Sequence, residues 1–296
     1  MKFKFLVKPP LKRKVKKGIL DLKRKFEVEV EIAEKEGEKS FANLAKVAIR
    51  KGFDNLIVVG GDGSINEVVN GLFQEKSDLR DLILGVIPTG SGNNFAKTLN
   101  ISTIKRGFEA IKKQKPILVD LGKVNSKYFV NCFSVGLDAQ INDLANKLKD
   151  KMKILPKSLS YFFAALQYIT FKFKCFSISI ETENLKKSGK MVLAAVTNSE
   201  SYGGFFRINP GAKISDGFLN LCYIEPLGKI KALVSLFKVI KGTHVFLKEV
   251  KMQKIKSLKI KTEKPLIWEI DGEVQKPKNF FKIEILPKAL KFFSNL

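Results

Sequence analysis

Histidine and cysteine are scarce in this chain of 296 residues. His244 is the one histidine, and Cys132, Cys175 and Cys222 are the three cysteines, none of them in a Cys-x-x-Cys pair. A single histidine leaves almost no material for a Ser-His-Asp triad or a histidine metal site, and the cysteine spacing argues against a zinc site. Single thiols in odd number are typical of a reducing compartment, so we expect buried thiols and a cytoplasmic protein.

Long apolar runs are also missing. The apolar part of the amino terminus is too short for a signal peptide, and the longest candidate stretch, from Tyr161 to Phe171, is interrupted by Gln167. A helix needs roughly 20 apolar residues to cross a bilayer. We therefore expect the chain not to cross a membrane, although it can still work at a membrane surface.

Acidic residues are few compared with basic ones. The chain has 29 Asp and Glu against 54 Lys and Arg, a formal net charge of +25. This surplus favours anionic partners such as nucleic acid, anionic lipid or phosphorylated substrates, and its plainer explanation is a surface of solvated lysines. Because the lysines are spread along the chain, we do not expect nucleic-acid binding. Hydrophobic residues make up 45%, enough for a real core, and the length suits two domains.

The first part of the chain, residues 1–122, alternates strand and helix patterns. Leu56–Val59 and Ile83–Ile87 are continuous apolar runs, each followed by glycines and then by a helical pattern, which predicts an open parallel α/β sheet. We interpret Lys8–Lys17 as a basic loop. The other predicted elements are strands Lys2–Val7 and Phe26–Ile32 and helices Phe41–Ile49, Asn66–Phe73 and Phe95–Leu99.

The pattern changes in residues 123–279, where strands follow one another closely. Two helices interrupt them, Leu159–Phe171 and Lys229–Lys241. This organisation predicts a mainly antiparallel, sandwich-like second domain. The predicted strands are Val124–Val135, Phe176–Glu181, Met191–Thr197, Phe218–Ile224, Ser257–Thr262 and Leu266–Ile270.

The most informative segment, Gly60-Gly61-Asp62-Gly63-Ser64, follows a buried strand. Glycine permits positive φ and removes the Cβ that would block a phosphate, and the amides of a following helix attract anions. We expect Ser64 to cap that helix, with Glu67 completing a capping box. Asp62 stands where a carboxylate can face Mg²⁺ bound to phosphate. The alternative is a tight turn with an ordinary helix cap.

Three further segments carry polar residues at predicted strand ends. Pro88–Phe95 is a second glycine loop, and ligands bind beyond the carboxyl ends of the strands in open α/β sheets, so both loops would form one site. Ser201–Gly217 is interpreted as two turns of the β domain. Asp271-Gly272-Glu273 is first of all a hairpin turn, although its two carboxylates could also provide a general base or a metal ligand.

Taken together, these motifs resemble the catalytic family of diacylglycerol kinases, in its bacterial soluble branch, which is also similar to sphingosine and ceramide kinases. The resemblance covers nearly the whole chain. It rests on Gly60–Gly71, Gly90–Lys97, Gly136–Ala139, Tyr202-Gly203-Gly204, Asp216-Gly217 and Asp271-Gly272-Glu273, which occur in the family's order.

The resemblance implies a Mg²⁺-dependent lipid kinase that transfers the γ-phosphoryl group of ATP to the hydroxyl of a lipid such as diacylglycerol. The implied fold is a Rossmann-like nucleotide-binding domain over residues 1–122, onto which residues 280–296 pack back, and a β-sandwich lipid domain over 123–279. Asp62 would organise the catalytic Mg²⁺, and Glu273 would be the general base. Asp216, with the carbonyls of Lys213 and Phe218, would hold a second, structural Mg²⁺. The implied nucleotide contacts are Gly60, Gly61, Asp62, Gly63, Ser64, Ile65, Asn66, Glu67, Ser91 and Asn93.

Some positions depart from the family pattern. Lys8–Lys12 stands where the family has an Asn-Pro-x-Ser-Gly loop, no threonine lies near Ala33, and Asn94 stands where aspartate is common. NAD kinases and phosphofructokinases share the Gly-Gly-Asp-Gly tetrad. A phosphotransferase of the NAD-kinase type with a soluble substrate is therefore one alternative, and a catalytically weak lipid- or nucleotide-binding protein is another.

The expected partner is a lipid substrate at an anionic membrane surface, reached by peripheral docking. The charge of +25 would supply the attraction. Phe162, Phe163, Phe205 and Phe206 are candidates for shallow insertion, with an ordinary core role as the alternative. A homodimer is also compatible with the sequence.

Overall fold

The computed structural model describes residues 1–148, 157–202 and 206–296. The chain forms two compact units. Unit 1 consists of Met1–Leu121 and Pro287–Leu296, and unit 2 consists of Gly122–Leu286. The sequence placed this boundary after residue 122 and the returning segment at about 280.

Unit 1 is a parallel sheet with helices. Its strands are β1 (Lys2–Val7), β2 (Glu27–Ile32), β3 (Asn55–Gly60) and β4 (Ile83–Pro88), and β5 (Pro116–Val124) leads into unit 2. Its helices are α1 (Arg13–Lys23), α2 (Phe41–Arg50), α3 (Asp62–Glu75), α4 (Asn94–Thr98) and α5 (Ile104–Lys113).

The parallel order in unit 1 is β2, β1, β3, β4, followed by the end of β14 (Glu273–Phe293), the last strand described. Lys291 and Phe292 of β14 pair with Ile83 and Leu84 of β4. β3 is buried at every position, as expected for a parallel sheet covered on both faces. The predicted open α/β domain is therefore confirmed.

One element of unit 1 was predicted wrongly. The segment interpreted as a loop up to Lys17 is helical from Arg13 onward, as part of α1. Val15, Ile19 and Leu22 form the buried face of this helix, at spacings of four and three residues. Lysine and arginine dominate the remaining positions, and this hid the short apolar periodicity.

Unit 2 is built from antiparallel strands and three long helices. After β5 come β6 (Lys127–Phe129), β7 (Cys132–Gly136), β8 (Phe176–Glu181), β9 (Lys186–Met191), β10 (Leu193–Thr197), β11 (Leu219–Ile224), β12 (Val250–Ile255) and β13 (Ser257–Ile270). The helices are α6 (Leu137–Leu148), α7 (Lys157–Lys172) and α8 (Lys229–Lys241), with a 3₁₀ turn at Thr243–Phe246.

The main sheet of unit 2 has the order β12, β11, β10, β7, β13, β14, and β8 and β9 continue from β13. Its pairs are antiparallel, which confirms the sandwich-like architecture expected for this part of the chain. One core lies around the rings of Phe133, Trp268 and Phe281, which contact one another at 5.1–5.8 Å between centroids. A second core lies beneath α6, α7 and α8.

Several strand limits differ from the predicted ones. The single strand predicted from Val124 to Val135 is the end of β5, then β6, then β7, because Asn125 has a positive φ of 53° and turns the chain. The two strands predicted around Leu266 are one strand, β13, with irregular pairing at that residue. The sequence did not predict α5, α6, β9, β12 or β14.

The thiols follow the prediction in part. Cys132 and Cys222 are buried and Cys175 is half-buried, and none of the three forms a disulfide. Burial raises the pKa of the Cys222 thiol to about 12. Within the described ranges, no helix combines the length and the apolar character needed to span a bilayer.

Candidate functional site

The two glycine loops of unit 1 are in direct backbone contact. β3 and β4 are parallel neighbours whose last residues, Gly60 and Pro88, pair with each other, so both loops leave the same edge of the sheet. A Cβ placed on Gly90 would lie 2.6 Å from the Cα of Gly61. Glycine at position 90 is therefore required for this approach, and a Cβ on Gly61 would also be tight, at 3.1 Å from the Cα of Gly90. The prediction that both loops share one place is therefore correct.

Asp62 joins these loops. It is the first residue of α3, and one of its carboxylate oxygens, Oδ2, accepts hydrogen bonds from the backbone N–H of Asn94 at 3.0 Å and from its side-chain amide at 3.2 Å. The other oxygen accepts from the N–H of Phe95 at 2.9 Å. Asp62 therefore caps α4. The amide of Asn94, one of the departures from the family pattern, is a donor where an aspartate would place a second negative charge.

The predicted capping of α3 is wrong. The cap position is Gly61, which has no side chain to offer, and Ser64 and Glu67 lie inside the helix. The glycine loop is shorter than the sequence suggested, because the chain turns into the helix directly at Asp62. The N–H of Ile65 donates to the carbonyl of Gly61 at 3.2 Å, which closes the first turn of α3.

The predicted nucleotide contacts fall into two groups. Five of them are at least partly accessible at the two loops, namely Gly61, Asp62, Gly63, Ser91 and Asn93. Glu67 is exposed on α3. Gly60, the last residue of β3, is buried. Ser64, Ile65 and Asn66 are also buried, so their side chains belong to the packing of α3.

Asn93 shapes the second loop. It has a left-handed φ of 53°, and its side-chain amide exchanges two hydrogen bonds with the backbone of Gly90, at 3.0 and 2.7 Å. The backbone N–H of Lys8 donates to the carbonyl of Val59 at 3.0 Å, which brings the altered loop after β1 to the same edge of the sheet.

In unit 2, the Asp-Gly turn has two carboxylates with different surroundings. Asp271 and Gly272, both with positive φ, form the predicted turn between β13 and β14. The carboxylate of Asp271 is buried and accepts hydrogen bonds from the N–H groups of Val130, Asn131 and Cys132 at 2.8–2.9 Å. Glu273 is exposed. Asp271 is thus a structural anchor, and Glu273 is the one of the two that a substrate can reach.

A buried acid pair, Asp138 and Glu269, was missed by the sequence reasoning. Asp138 accepts hydrogen bonds from the hydroxyls of Ser134, at 2.8 Å, and Tyr161, and Asn142 donates to Glu269. Burial and the neighbouring charge of Asp138 raise the pKa of Glu269 well above its ordinary value. The signal in the sequence was a glutamate placed among apolar residues of a buried strand.

A narrow, largely apolar cavity of about 70 Å³ lies in unit 2, between α6, α7, α8 and β10. Asp138 reaches its wall, and so do two buried polar groups, the hydroxyl of Tyr202 and the imidazole of His244. The apolar part of the lining includes Leu137, Ala165, Ile169, Phe206, Leu236 and Val250.

Both of these polar groups have hydrogen-bonding capacity left. His244 Nε2 lies 3.0 Å from the carbonyl of Ile208, and within the described part of the chain Nδ1 has no partner. Burial lowers the pKa of His244, so its ring is neutral. Within the described residues, the Tyr202 hydroxyl makes no hydrogen bond of ordinary geometry. Burial and the nearby charge of Asp138 raise the pKa of this hydroxyl well above the usual value.

Asp216, the predicted ligand of a structural Mg²⁺, is bound by other groups. Its carboxylate accepts hydrogen bonds from the N–H of Phe218 at 3.2 Å and from the ammonium of Lys254 at 2.7 Å. Lys213 is exposed. Within the described residues, no three His, Cys, Asp or Glu side chains are grouped so as to hold a metal ion. Protein Mg²⁺ sites often use only one or two carboxylates together with phosphate oxygens.

The candidate membrane aromatics behave differently from one another. Phe206 is buried against Tyr161, at 5.2 Å between ring centroids, so the alternative core role is confirmed for this residue and shallow insertion is not. Phe163 is exposed and Phe162 is half-buried. Gly203, Gly204 and Phe205 lie outside the described residues.

Comparison with known families covers both units. The family described as "YegS C-terminal NAD kinase beta sandwich-like domain" matches residues 131–294, more than half of the chain. The family described as "Diacylglycerol kinase catalytic domain" matches residues 11–124, which include both glycine loops.

Individual proteins agree with these matches. Diacylglycerol kinase of Staphylococcus carnosus (strain TM300) is 28% identical over 267 residues, 88% of this chain and 83% of that protein. The diacylglycerol kinase of Staphylococcus aureus (strain MRSA252) is 29% identical over 286 residues, 94% and 86% of the two chains. A crystal structure of a diacylglycerol kinase from Bacillus anthracis str. Sterne has the same fold, with a TM-score of 0.74, 21% identity and coverage of 99% and 97%.

A parallel α/β unit with paired glycine loops, followed by a sandwich-like unit of the NAD-kinase type, defines a class of two-domain kinases. Within that class, the chain belongs to the diacylglycerol kinase family, a family of lipid kinases.

Proposed function

We propose that this protein transfers the γ-phosphoryl group of ATP to the hydroxyl of a neutral, diacylglycerol-type lipid. The observation that carries the proposal is the contact between Gly61 and Gly90, which leaves a side-chain-free surface beside the start of α3. Backbone amides without a Cβ in front of them are well suited to bind the phosphates of a nucleotide.

The proposed mechanism divides the work between positioning and proton transfer. Phosphoryl transfer depends mainly on holding the phosphates and on neutralising their charge, which Mg²⁺ supplies when it is bound with ATP. Asp62 would hold that ion, and Ser91 and Asn93 would orient the phosphates. Glu273, exposed at the start of β14, would accept the proton of the lipid hydroxyl.

The cavity in unit 2 supports a lipid as the acceptor. Its lining is largely apolar, and the imidazole of His244 at its wall is neutral. An alkyl chain gains free energy in such a place, whereas a phosphorylated soluble substrate would lose its hydration without compensation. The hydroxyl of Tyr202 and Nδ1 of His244 would then offer one donor and one acceptor to the ester or hydroxyl groups of the lipid.

The test is a radiolabelled-ATP assay against a panel of acceptors. Diacylglycerols with different chain lengths, a sphingoid base and the soluble acceptor NAD are compared under identical Mg²⁺ and detergent conditions. We expect label in the diacylglycerol product. Transfer to NAD alone would overturn the proposal in favour of a soluble-substrate kinase, and binding of ATP without transfer to any acceptor would indicate a catalytically weak binding protein.

A pair of variants tests the role of the cavity. Ala165 is fully buried on the cavity wall, so Ala165→Leu should fill the space and raise KM for long-chain diacylglycerol, with little effect on ATP affinity. Ala165→Ser leaves the volume nearly unchanged and serves as the control. An unchanged KM in the folded leucine variant would place the lipid elsewhere.

A further inference from the structure

Two helices of unit 2 each expose an apolar stripe to solvent. On α7 the stripe is Leu159, Phe163 and Leu166, and on α8 it is Ile230, Val234 and Phe237. The spacing of four and then three residues is the same in both, so each set lies along one side of its helix. Ile230 is 80% exposed and Phe237 60% exposed, which is unusual for large apolar side chains.

The stripes form one continuous surface, here called the α7–α8 face. The ring of Phe162 lies between them, 6.0 Å from the Phe163 centroid and 5.8 Å from the Phe237 centroid, so aromatic contacts join the helices at the surface. Single exposed apolar residues are ordinary on proteins, but a contiguous apolar area marks a place where a partner or a membrane binds.

The same helices are also apolar on their inner side. Ala165 and Ile169 of α7 and Leu236 and Val239 of α8 line the cavity. A surface helix of a globular protein normally has a polar outer side. These two helices therefore separate an apolar cavity from an apolar outer face, an arrangement that core packing alone does not require.

The charges of the two helices favour an anionic occupant for this face. Neither helix contains an acidic residue, and α8 has four lysines, at positions 229, 231, 238 and 241. Lys231 is paired with Glu249 at 2.8 Å, and the other three are at least partly accessible at the border of the stripe. An apolar centre with a basic border suits the interface of an anionic bilayer. A second copy of this chain would bring the same lysines against these ones and would be repelled.

We infer that the α7–α8 face inserts into the headgroup boundary of an anionic bilayer. The helices that contact the lipid phase are then the walls of the cavity, so a lipid can reach the cavity without crossing water. Only this second step rests on the proposed function, because binding to the bilayer requires no catalysis.

The experiment is vesicle co-sedimentation of the full chain. Vesicles of phosphatidylcholine with and without phosphatidylglycerol are compared for the wild type and for the double variant Ile230→Gln/Phe237→Gln. Both side chains are exposed, so the variant should fold normally, which a thermal melt verifies. We expect it to lose about tenfold or more of its partitioning to anionic vesicles, because two buried apolar contacts are removed.

The matched control is Leu20→Gln, which removes an apolar side chain that is 61% exposed on α1. Equal partitioning of the wild type and the double variant would overturn the inference. A different outcome is that the wild type dimerises with increasing concentration, the double variant does not, and both bind vesicles equally. This outcome would make the face a dimer interface instead. A short-chain diacylglycerol dispersed in detergent tests the proposed kinase function without a bilayer. If that function is correct, the double variant should phosphorylate this substrate as the wild type does, whether or not the α7–α8 face binds the bilayer.

Insertion can also be observed directly. Phe237→Trp places an indole on the face, while the single native tryptophan, Trp268, is only 2% exposed in the core. Brominated lipids should quench the new indole and leave Trp268 unaffected. The absence of quenching at saturating anionic vesicles would overturn insertion at this face.

Discussion

The carboxylate of Asp62 accepts a hydrogen bond from the backbone N–H of Phe95 at 2.9 Å. The first residue of α3 thereby fixes the first turn of α4, and with it the second glycine loop. Asp62 consequently has a structural task within unit 1 in addition to any task with a metal ion. Variants at this position need to separate the two.

Asp62→Ala should abolish phosphoryl transfer and also lower stability. Removal of the cap from α4 is expected to cost about 0.5–2 kcal/mol. Asp62→Asn retains one acceptor oxygen and should recover part of that loss without recovering turnover, because its amide does not hold Mg²⁺ well. Thermal unfolding and the radiolabelled-ATP assay measure the two effects separately. Near-normal turnover of the asparagine variant would leave Asp62 as a helix cap only.

Glu273→Gln should lower kcat strongly and leave ATP affinity almost unchanged. The substitution removes basicity but little volume, and the loss of a general base typically costs about 10²- to 10⁴-fold in rate. Glu263→Gln is the control, because Glu263 is also an exposed glutamate of unit 2. If ATP affinity collapses while the rate at saturation is retained, Glu273 binds the nucleotide and is not the base.

Glu269→Gln should change the dependence of stability on pH. Below the ordinary pKa of 4.5 the carboxyl is protonated in both the folded and the unfolded chain. Above 4.5 the unfolded chain loses this proton while the folded chain keeps it, so Glu269 increasingly destabilises the fold as pH rises towards its raised folded pKa. Glutamine imitates the protonated acid. Melting curves from pH 5 to pH 8 should therefore show a smaller decline for Glu269→Gln than for the wild type, and parallel curves would contradict the assignment.

Binding of a structural Mg²⁺ at Asp216 remains a prediction, and Lys254 provides its test. If Asp216 binds the ion, Mg²⁺ should raise the Tm of the wild type and raise that of Asp216→Ala less. Lys254→Met removes the competing ammonium and should increase the response to Mg²⁺. Asp78→Ala, at an exposed aspartate paired with Arg80, is the control. Equal Mg²⁺ responses in all four proteins would show that Asp216 is only a partner of Lys254.

The parts of the fold that the sequence predicted well depend on local patterns. β3 with its glycine loop and β4 with its glycine loop each combine a buried apolar run with residues that permit unusual backbone geometry. Such signals lie within a few residues of one another. The parallel pairing of the two strands then follows from the general topology of α/β sheets.

The parts that were missed depend on contacts between distant segments or on diluted patterns. The Asp138–Glu269 pair joins a helix start to a strand far along the chain, and neither residue alone reveals its partner. β14 contains lysines and two prolines and has the composition of a polar loop until its neighbours β13 and β4 are known. The cap of α3 was misplaced because glycine, which gives no side-chain signal, occupies the cap position.

The return of Pro287–Leu296 to unit 1 has a consequence for how the protein is made. Phe292 and Phe293 are completely buried in that unit, and Phe292 packs against Phe95 at 4.8 Å between ring centroids. Domains ordinarily fold from the amino terminus while the ribosome is still translating. Here the amino-terminal unit lacks part of its core until residues 287–296 have been synthesised. A nascent chain that has completed all of unit 2 therefore still carries an unfinished unit 1. Until that unit is complete, it depends on protection from aggregation.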